Sequence, residues 1–333
     1  MKKLLLLFVL LFLALLATSL WVWKDYQQFL ERPLTVPAQG LSIEIPRGSS
    51  YAAMVEHLIE VGVTQKRWPW RLLNRLQPQA IQAGEYKLEP GVSPQLWLDK
   101  LAKGEVIRHN FTIIEGWKLS DLLKALAADK RLKQTLSATD STQQLLSLLA
   151  IESATPEGWF LPETYSFISG DSDLDILTQA YNSMQKVLAQ KWQSRQKDLP
   201  ISSPYEMLIL ASIVEKETAV AEERGQIAGV FVRRLQKRMR LQTDPTVIYG
   251  IGESFDGDIK RKDLRTDTPY NTYTRHGLPP TPIALPGTAS IHAVSQPEAG
   301  ESLYFVADGS GGHTFSTTYA EHNKAVQKML KRK

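Results

Sequence analysis

Pro204-Tyr-Glu-Met-Leu-Ile-Leu-Ala-Ser-Ile-Val-Glu-Lys-Glu-Thr218 is the stretch around which the carboxyl-terminal half must fold. Ser203 with Glu206 three residues on has the pattern of a capping box, and Pro204 suits the first helical position. Met207, Leu210, Ala211 and Val214 recur at helical spacing and make one apolar stripe. Glu215 and Glu217 close the run, one on either side of that stripe, with Lys216 pointing away. A carboxyl group held against apolar walls loses its preference for the ionised form and can serve as a general acid near neutrality. Read as scaffolding, the same pair is two exposed carboxylates at a helix end, where they oppose the helix dipole. Periodicity does not choose between Glu215 and Glu217.

Downstream, Glu222 to Leu235 reads as a second amphipathic helix. Arg233, Arg234, Lys237, Arg238 and Arg240 give it a basic face, suited to solvent or to substrate carboxylates. Leu241-Gln-Thr-Asp-Pro-Thr246 reads as a turn with Asp244 as N-cap and Pro245 opening a short helix to Gly250. Gln242 and Asp244 are polar groups on a short rigid turn, as sugar-binding groups often are. Tyr270-Asn-Thr-Tyr273 and the proline-rich run His276 to Gly287 form a stiff segment suited to walling a cleft. Leu303-Tyr-Phe-Val306 and His313-Thr-Phe-Ser316 alternate as a hairpin, and Tyr319 opens a closing helix. His313 and His322 lack metal-ligand spacing, so neither a metal nor a cofactor is expected.

Upstream, Asp173 to Arg195 reads as a helix capped by Ser172. Before it lies Glu157-Gly-Trp-Phe-Leu-Pro-Glu-Thr-Tyr165, whose Trp159, Phe160 and Tyr165 suit either the apolar faces of sugar rings or a core plug. Further back, three units repeat a strand, a glycine turn and an amphipathic helix. They are Leu41–Gly48 leading into Tyr51–Leu58, Gly84–Gly91 into Gln95–Leu101, and Phe111–Gly116 into Leu119–Leu126. Such units cannot bury their apolar faces alone and should pack as a small α+β module, a glycan- or partner-binding domain or a spacer. His57 within it reads as structural.

At the amino-terminal end, Lys2-Lys3 precede an apolar run from Leu4 to Val22 that ends in Trp21-Val-Trp23. Its length approaches the roughly 20 residues that cross a hydrocarbon core, and the tryptophans suit the interface. An uncleaved single-pass anchor with a cytoplasmic amino terminus is expected. A Pro- and Gly-containing linker, Arg32 to Gly40, follows.

The 333 residues carry a net charge of +4, and removing six basic residues at the two ends turns it to −2. The alkaline pI therefore belongs to the tails and leaves no footprint for nucleic acid. With no cysteine, disulfides, thiol catalysis and cysteine zinc sites are excluded.

Taken together, Ala211-Ser-Ile-Val-Glu-Lys-Glu-Thr218, Leu241-Gln-Thr-Asp-Pro-Thr-Val-Ile-Tyr-Gly250, Tyr270-Asn-Thr-Tyr273, Gly277-Leu-Pro-Pro280, Leu303-Tyr-Phe-Val306, Gly312-His-Thr-Phe315 and the Glu157–Tyr165 segment resemble the endolytic murein transglycosylase family. The resemblance spans almost the whole chain. It implies an α+β fold with a transmembrane helix, a small LysM-like α+β module and a larger mixed helical and β catalytic domain. The corresponding layout is a leader and anchor over 1–24, a linker over 25–40, the module over 41–108 and the catalytic domain over 109–333.

The resemblance also supplies the choice that spacing leaves open: the second glutamate of the triplet, Glu217, is the implied catalytic group. Glu215, Glu157, Trp159, Gln242, Asp244, Tyr270, Asn271 and Tyr273 are the candidate substrate-binding positions. The implied activity cleaves peptidoglycan strands between N-acetylmuramic acid and N-acetylglucosamine. It would act on the wall side of the cytoplasmic (inner) membrane, facing the periplasm. The implied partners are glycan strands and peptidoglycan synthases (penicillin-binding proteins). Two alternatives remain: a non-catalytic wall-binding scaffold, and a hydrolase drawing a second carboxylate from Glu157, Glu163 or Asp244.

Overall fold

The computed structural model describes residues 2–137 and 142–331. Among the described residues, helices mix with three two-stranded sheets, and the chain divides into two compact units. The first comprises the chain up to His109 plus Ser166–Asp171, and the second comprises Asn110–Tyr165 and Ser172 onward. Of the basic tail, Arg332 and Lys333 lie outside the described residues.

The first unit begins with helix α1 (Lys2–Glu31), whose mean hydropathy reaches 2.7 over its most apolar window. It is the one described helix long and apolar enough to cross a membrane, and Leu4 to Trp23 lie exposed along it. The helix does not stop where the linker was expected. It continues to Glu31 because Tyr26, buried at 2% exposure, joins the unit's core. Leu34 and Thr35 then donate their amides to Val92 and Val63 carbonyls, so this connection is packed rather than free.

Strand β1 (Leu41–Ile45) pairs antiparallel with β2 (Gly84–Leu88) in the register Ile43↔Tyr86. Helices α2 (Tyr51–Glu60), α3 (Trp68–Leu76) and α4 (Pro94–Lys103) bring Leu58, Trp70 and Trp97 to one core against that ribbon. Ser50 and Ser93 cap α2 and α4 by accepting the Ala53 and Leu96 amides. Two of the three repeated units thus fall here. The third, β3 (Arg108–Thr112) followed by α5 (Leu119–Ala128), has its strand several residues earlier than expected. Strand β3 pairs with β4 (Thr164–Ile168), and along these strands the chain passes between units.

The second unit continues with α6 (Thr142–Leu148) and α7 (Asp173–Gln193), the latter closed by a Ser172–Asp175 capping box. Next comes α8 (Pro204–Glu217), with the Ser203 hydroxyl accepting the Glu206 amide. The return bond of the box goes one residue early, from Ser202 N–H to Glu206. Every side chain from Met207 to Val214 is buried, so α8 is a core helix on all faces. It is surrounded by α7, α9 (Arg224–Gln236), α10 (Asp244–Ile251) and α12 (Thr288–Ser295), with α11 (Arg261–Arg265) packed on α10. The polar side chain within that buried run is satisfied: the Ser212 hydroxyl donates to Ile209 O and accepts the Ile283 amide. Truncating a residue such as Leu210 in this setting costs about 2–5 kcal/mol. The hairpin β5 (Tyr304–Ala307) and β6 (His313–Ser316) and helix α13 (Tyr319–Leu330) complete the unit.

Two local expectations are corrected. Thr243, not Asp244, is the N-cap of α10, which puts Pro245 at its second position. The basic face of α9 is divided: Lys237, Arg238 and Arg240 are exposed, whereas Arg234 is buried. Its guanidinium donates from Nε to Leu303 O at 2.6 Å and from Nη1 to Leu241 O at 2.5 Å. One side chain thus ties α9 to the hairpin and to the turn before α10.

Candidate active site

Helix α8 ends at Glu217 because Thr218 turns extended, and a short 3-10 turn, Ala221–Glu223, leads into α9. Glu217 points into a cleft of about 500 Å³, within the range of small-ligand sites. Gln242, Asp244 and Tyr273 line the same cleft, together with Arg234, Tyr304 and His313. The wall bearing Gln242 and Asp244 is built by threonines. Thr243 N–H donates to Thr272 Oγ1 at 3.1 Å, the Thr246 hydroxyl donates to Thr243 O at 2.8 Å, and Gln242 N–H donates to Thr272 O at 3.2 Å. These bonds hold Gln242 at φ 50°, a left-handed conformation uncommon for a residue with a side chain. Strain of this kind persists only where the surroundings over-determine it.

The electrostatics single out Glu217. Burial pushes its carboxyl up to about 7, and the neighbouring Asp244 charge acts in the same direction. So does its place at a helix C-terminus. The Thr243 hydroxyl, which donates to Glu217 Oε1, and the nearby Arg234 charge pull the other way. The result is a carboxyl group poised to hold or release a proton near neutral pH. Asp244 is engaged on its outer side by the Tyr273 phenol, which donates to Oδ1 at 2.6 Å. Burial raises the Tyr273 pKa and the hydrogen bond to Asp244 raises it again, so the phenol stays a donor.

The other sequence-derived candidates lie outside this lining. Glu215, its side chain 5% exposed, faces the start of α12. Its Oε2 accepts the Gly287 amide at 3.0 Å and the Ser290 hydroxyl at 2.7 Å, while Arg224 lies 3.8 Å from Oε1. It is a side-chain cap for the N-terminus of a buried helix. Glu157 is buried, accepts the Leu119 amide at 2.9 Å and the Tyr249 phenol at 3.1 Å, and is also raised by burial to about 7. Trp159 stacks on Tyr205 with ring centroids 5.8 Å apart and meets Tyr181 edge-on, while Phe160 is fully buried. These aromatics plug the core. Tyr270 packs on Tyr249, and Asn271 is 1% exposed, donating to Asp263 O and Thr266 O and accepting the Tyr273 amide. Asn271 therefore shapes the turn that presents Tyr273.

Tyr304, His313 and His322 also line the cleft, and sequence reasoning gave them no part in it; His322 stacks on Tyr304 with centroids 5.3 Å apart. The signal they left in the sequence was the pair of hairpin motifs, Leu303-Tyr-Phe-Val306 and Gly312-His-Thr-Phe315, which carry part of the family resemblance. Among the described residues, no group of three or more His, Asp or Glu side chains is arranged to hold a metal ion.

The sequence profile of the YceG-like family matches residues 43–328, which contain the whole cleft. The chain belongs to the YceG-like family. A relative from Bacillus subtilis named endolytic murein transglycosylase is 32% identical over 310 residues, covering 88% of this chain and 86% of that protein. A protein of the same name from Streptococcus pneumoniae is 27% identical, covering 97% of this chain and 65% of its own length. The crystal structure of a YceG-like protein from Listeria monocytogenes superposes with a TM-score of 0.52 at 30% identity. It covers 86% of this chain and 99% of that one.

Proposed function

We propose that this family member is a lytic transglycosylase that cuts peptidoglycan strands internally at the bond between N-acetylmuramic acid and N-acetylglucosamine. The observation that carries the reading is Glu217: a carboxyl raised to about 7, at the floor of a cleft of sugar-binding size. Family membership supplies the substrate class.

Protonated Glu217 donates to the leaving glycosidic oxygen while positive charge develops at C1 of the muramyl ring. The resulting carboxylate then takes the proton of that ring's own C6 hydroxyl, whose oxygen closes on C1 to give a 1,6-anhydro end. An intramolecular nucleophile needs no second carboxylate to activate water, unlike the paired acids of ordinary glycosidases. The Thr243 hydroxyl suits both halves of the cycle, since a hydroxyl beside the carboxylate limits how far burial can raise its pKa.

The remaining layout follows from the same reading. Residues 1–24 anchor the chain in the cytoplasmic membrane with the amino terminus inside. The region 41–108 is a LysM-like module that meets or approaches glycan, and 109–333 carries the chemistry. Acting from the membrane, beside the synthases that polymerise them, the enzyme ends nascent strands. The test is Glu217→Gln on purified glycan strands, with the products analysed by mass spectrometry. Wild-type protein should release 1,6-anhydro ends and the variant none, with its circular dichroism unchanged. Reducing ends instead would mark a hydrolase, no product from wild type would mark a scaffold, and full activity of the variant would remove Glu217 from the role.

A further inference from the structure

The turn that follows α8 places a second carboxylate, Glu223, against the cleft-lining strand β6. Glu223 Oε1 accepts the backbone amide of His313 at 2.8 Å and Oε2 meets His313 Nδ1 at 2.7 Å. A carboxylate only accepts, so Nδ1 carries a proton, and in the neutral ring Nε2 is then an acceptor. The position before the histidine is Gly312, where a Cβ would stand 2.7 Å from Glu223 Oε1; only glycine lets the carboxylate come this close. The ring is further fixed edge-on against Phe305 at 5.4 Å. Both side chains are mostly enclosed, at 14% and 17% exposure, yet His313 lines the cleft that contains Glu217. A histidine locked in tautomer and orientation by a carboxylate, with no metal-holding cluster among the described residues, is more elaborate than a strand residue requires.

We propose that His313, positioned by Glu223, accepts a hydrogen bond from the muramyl C6 hydroxyl and aims its oxygen at C1. This rests on the transglycosylase reading above and deepens it. As the glycosidic C1–O bond breaks, Glu217 gives its proton to the leaving oxygen. Once Glu217 is ionised, the C6 hydroxyl turns its single proton from His313 Nε2 to the Glu217 carboxylate, which takes it as the C6 oxygen bonds to C1. His313 is unchanged at the end and gains no proton. Its contribution is to make the substrate's own hydroxyl outcompete water.

The diagnostic is therefore the ratio of 1,6-anhydro ends to reducing ends, which a purely structural residue would not move. In His313→Ala the ratio should fall by about tenfold or more, the scale on which a misaligned intramolecular nucleophile loses its advantage. His313→Gln, whose amide oxygen reaches a similar place, should recover part of it. Glu223→Gln should lower it less, and this variant carries the test if His313→Ala fails to fold. An unchanged ratio in folded variants overturns the inference while leaving the transglycosylase assignment intact. Complete loss of both products in the folded variants also overturns it, by moving the pair to the bond-breaking step. A wild-type protein that makes no anhydro ends fails the underlying reading and this inference together.

Discussion

Replacing Thr243 by valine removes one hydroxyl from beside Glu217 and almost nothing else. Thr243 is 2% exposed, and its other bonds use its backbone, with the amide on Thr272 Oγ1 and the carbonyl accepting from Thr246, so valine fills the same space. Its hydroxyl donates to Glu217 Oε1 and so favours the ionised form. Hydrogen bonds to charged groups contribute about 1.5–3 kcal/mol, and a protonated carboxyl would keep about half of that. The differential is then about 0.8–1.5 kcal/mol, which corresponds to roughly one pH unit at most. The sign is upward, because the lost bond had stabilised the carboxylate. An acid that must be protonated to start the reaction gives an activity that falls as pH rises through its pKa. That alkaline limb, near 7 in the wild type, should move toward about 8 in Thr243→Val. At about pH 8 the protonated fraction rises from about one tenth to at most about one half, so kcat/KM should rise by up to roughly fivefold. At about pH 6 it should barely change. The assay is anhydro-end release from glycan strands across the pH range, with folding checked by circular dichroism. A limb that stays put, or moves to lower pH, would refute the assignment of Glu217 as the group whose protonation limits the reaction.

Asp244→Asn removes the neighbouring charge that raises Glu217, so the alkaline limb should move the other way, toward lower pH, by less than the valine shift; the same pH series reads it. Glu217→Gln should raise the melting temperature in a pH-dependent way. The Glu217 pKa of about 7 lies above the ordinary 4.5, so its stabilising contribution is complete below 4.5 and is lost as pH rises through 7. The variant should match wild type near pH 4 and exceed it near pH 8, by at most about 3 kcal/mol in chemical denaturation. Glu215→Ala should cost about 1–3 kcal/mol, because it uncaps α12 and leaves Arg224 to its bridge with Glu115. Its activity per folded molecule should hold, which separates it from its neighbour two residues on.

Much of the architecture was legible because it is local. Ser50, Ser93, Ser172 and Ser203 announce their helices through bonds made within three residues. The core helix α8 was legible too, though its stripe understated it: a helix buried on every face has no exposed side for periodicity to reveal. That is also why spacing left Glu215 and Glu217 equivalent. What separates them is the partner each finds far along the chain, Gly287 and Ser290 for one and Thr243 for the other. Asp244 was misplaced by one position because Thr243 and Asp244 are both good caps and proline is tolerated at either of the first two helical positions. Arg234 looked like its exposed neighbours until the hairpin arrived to accept its guanidinium. The Glu223–His313 pair spans 90 residues of sequence and left no local trace.

Helix α1 runs without interruption from its apolar stretch into Tyr26, a residue of the first unit's core. A tether of that kind is a post rather than a rope. For a helix that crosses a membrane, the first unit then inherits the helix's height and heading and cannot swivel independently at the bilayer surface. Each residue inserted between Trp23 and Tyr26 would lift the unit by about 1.5 Å and turn it by about 100°. Changing the length of this segment therefore steers which face the first unit presents, much as adding washers turns a bolted bracket.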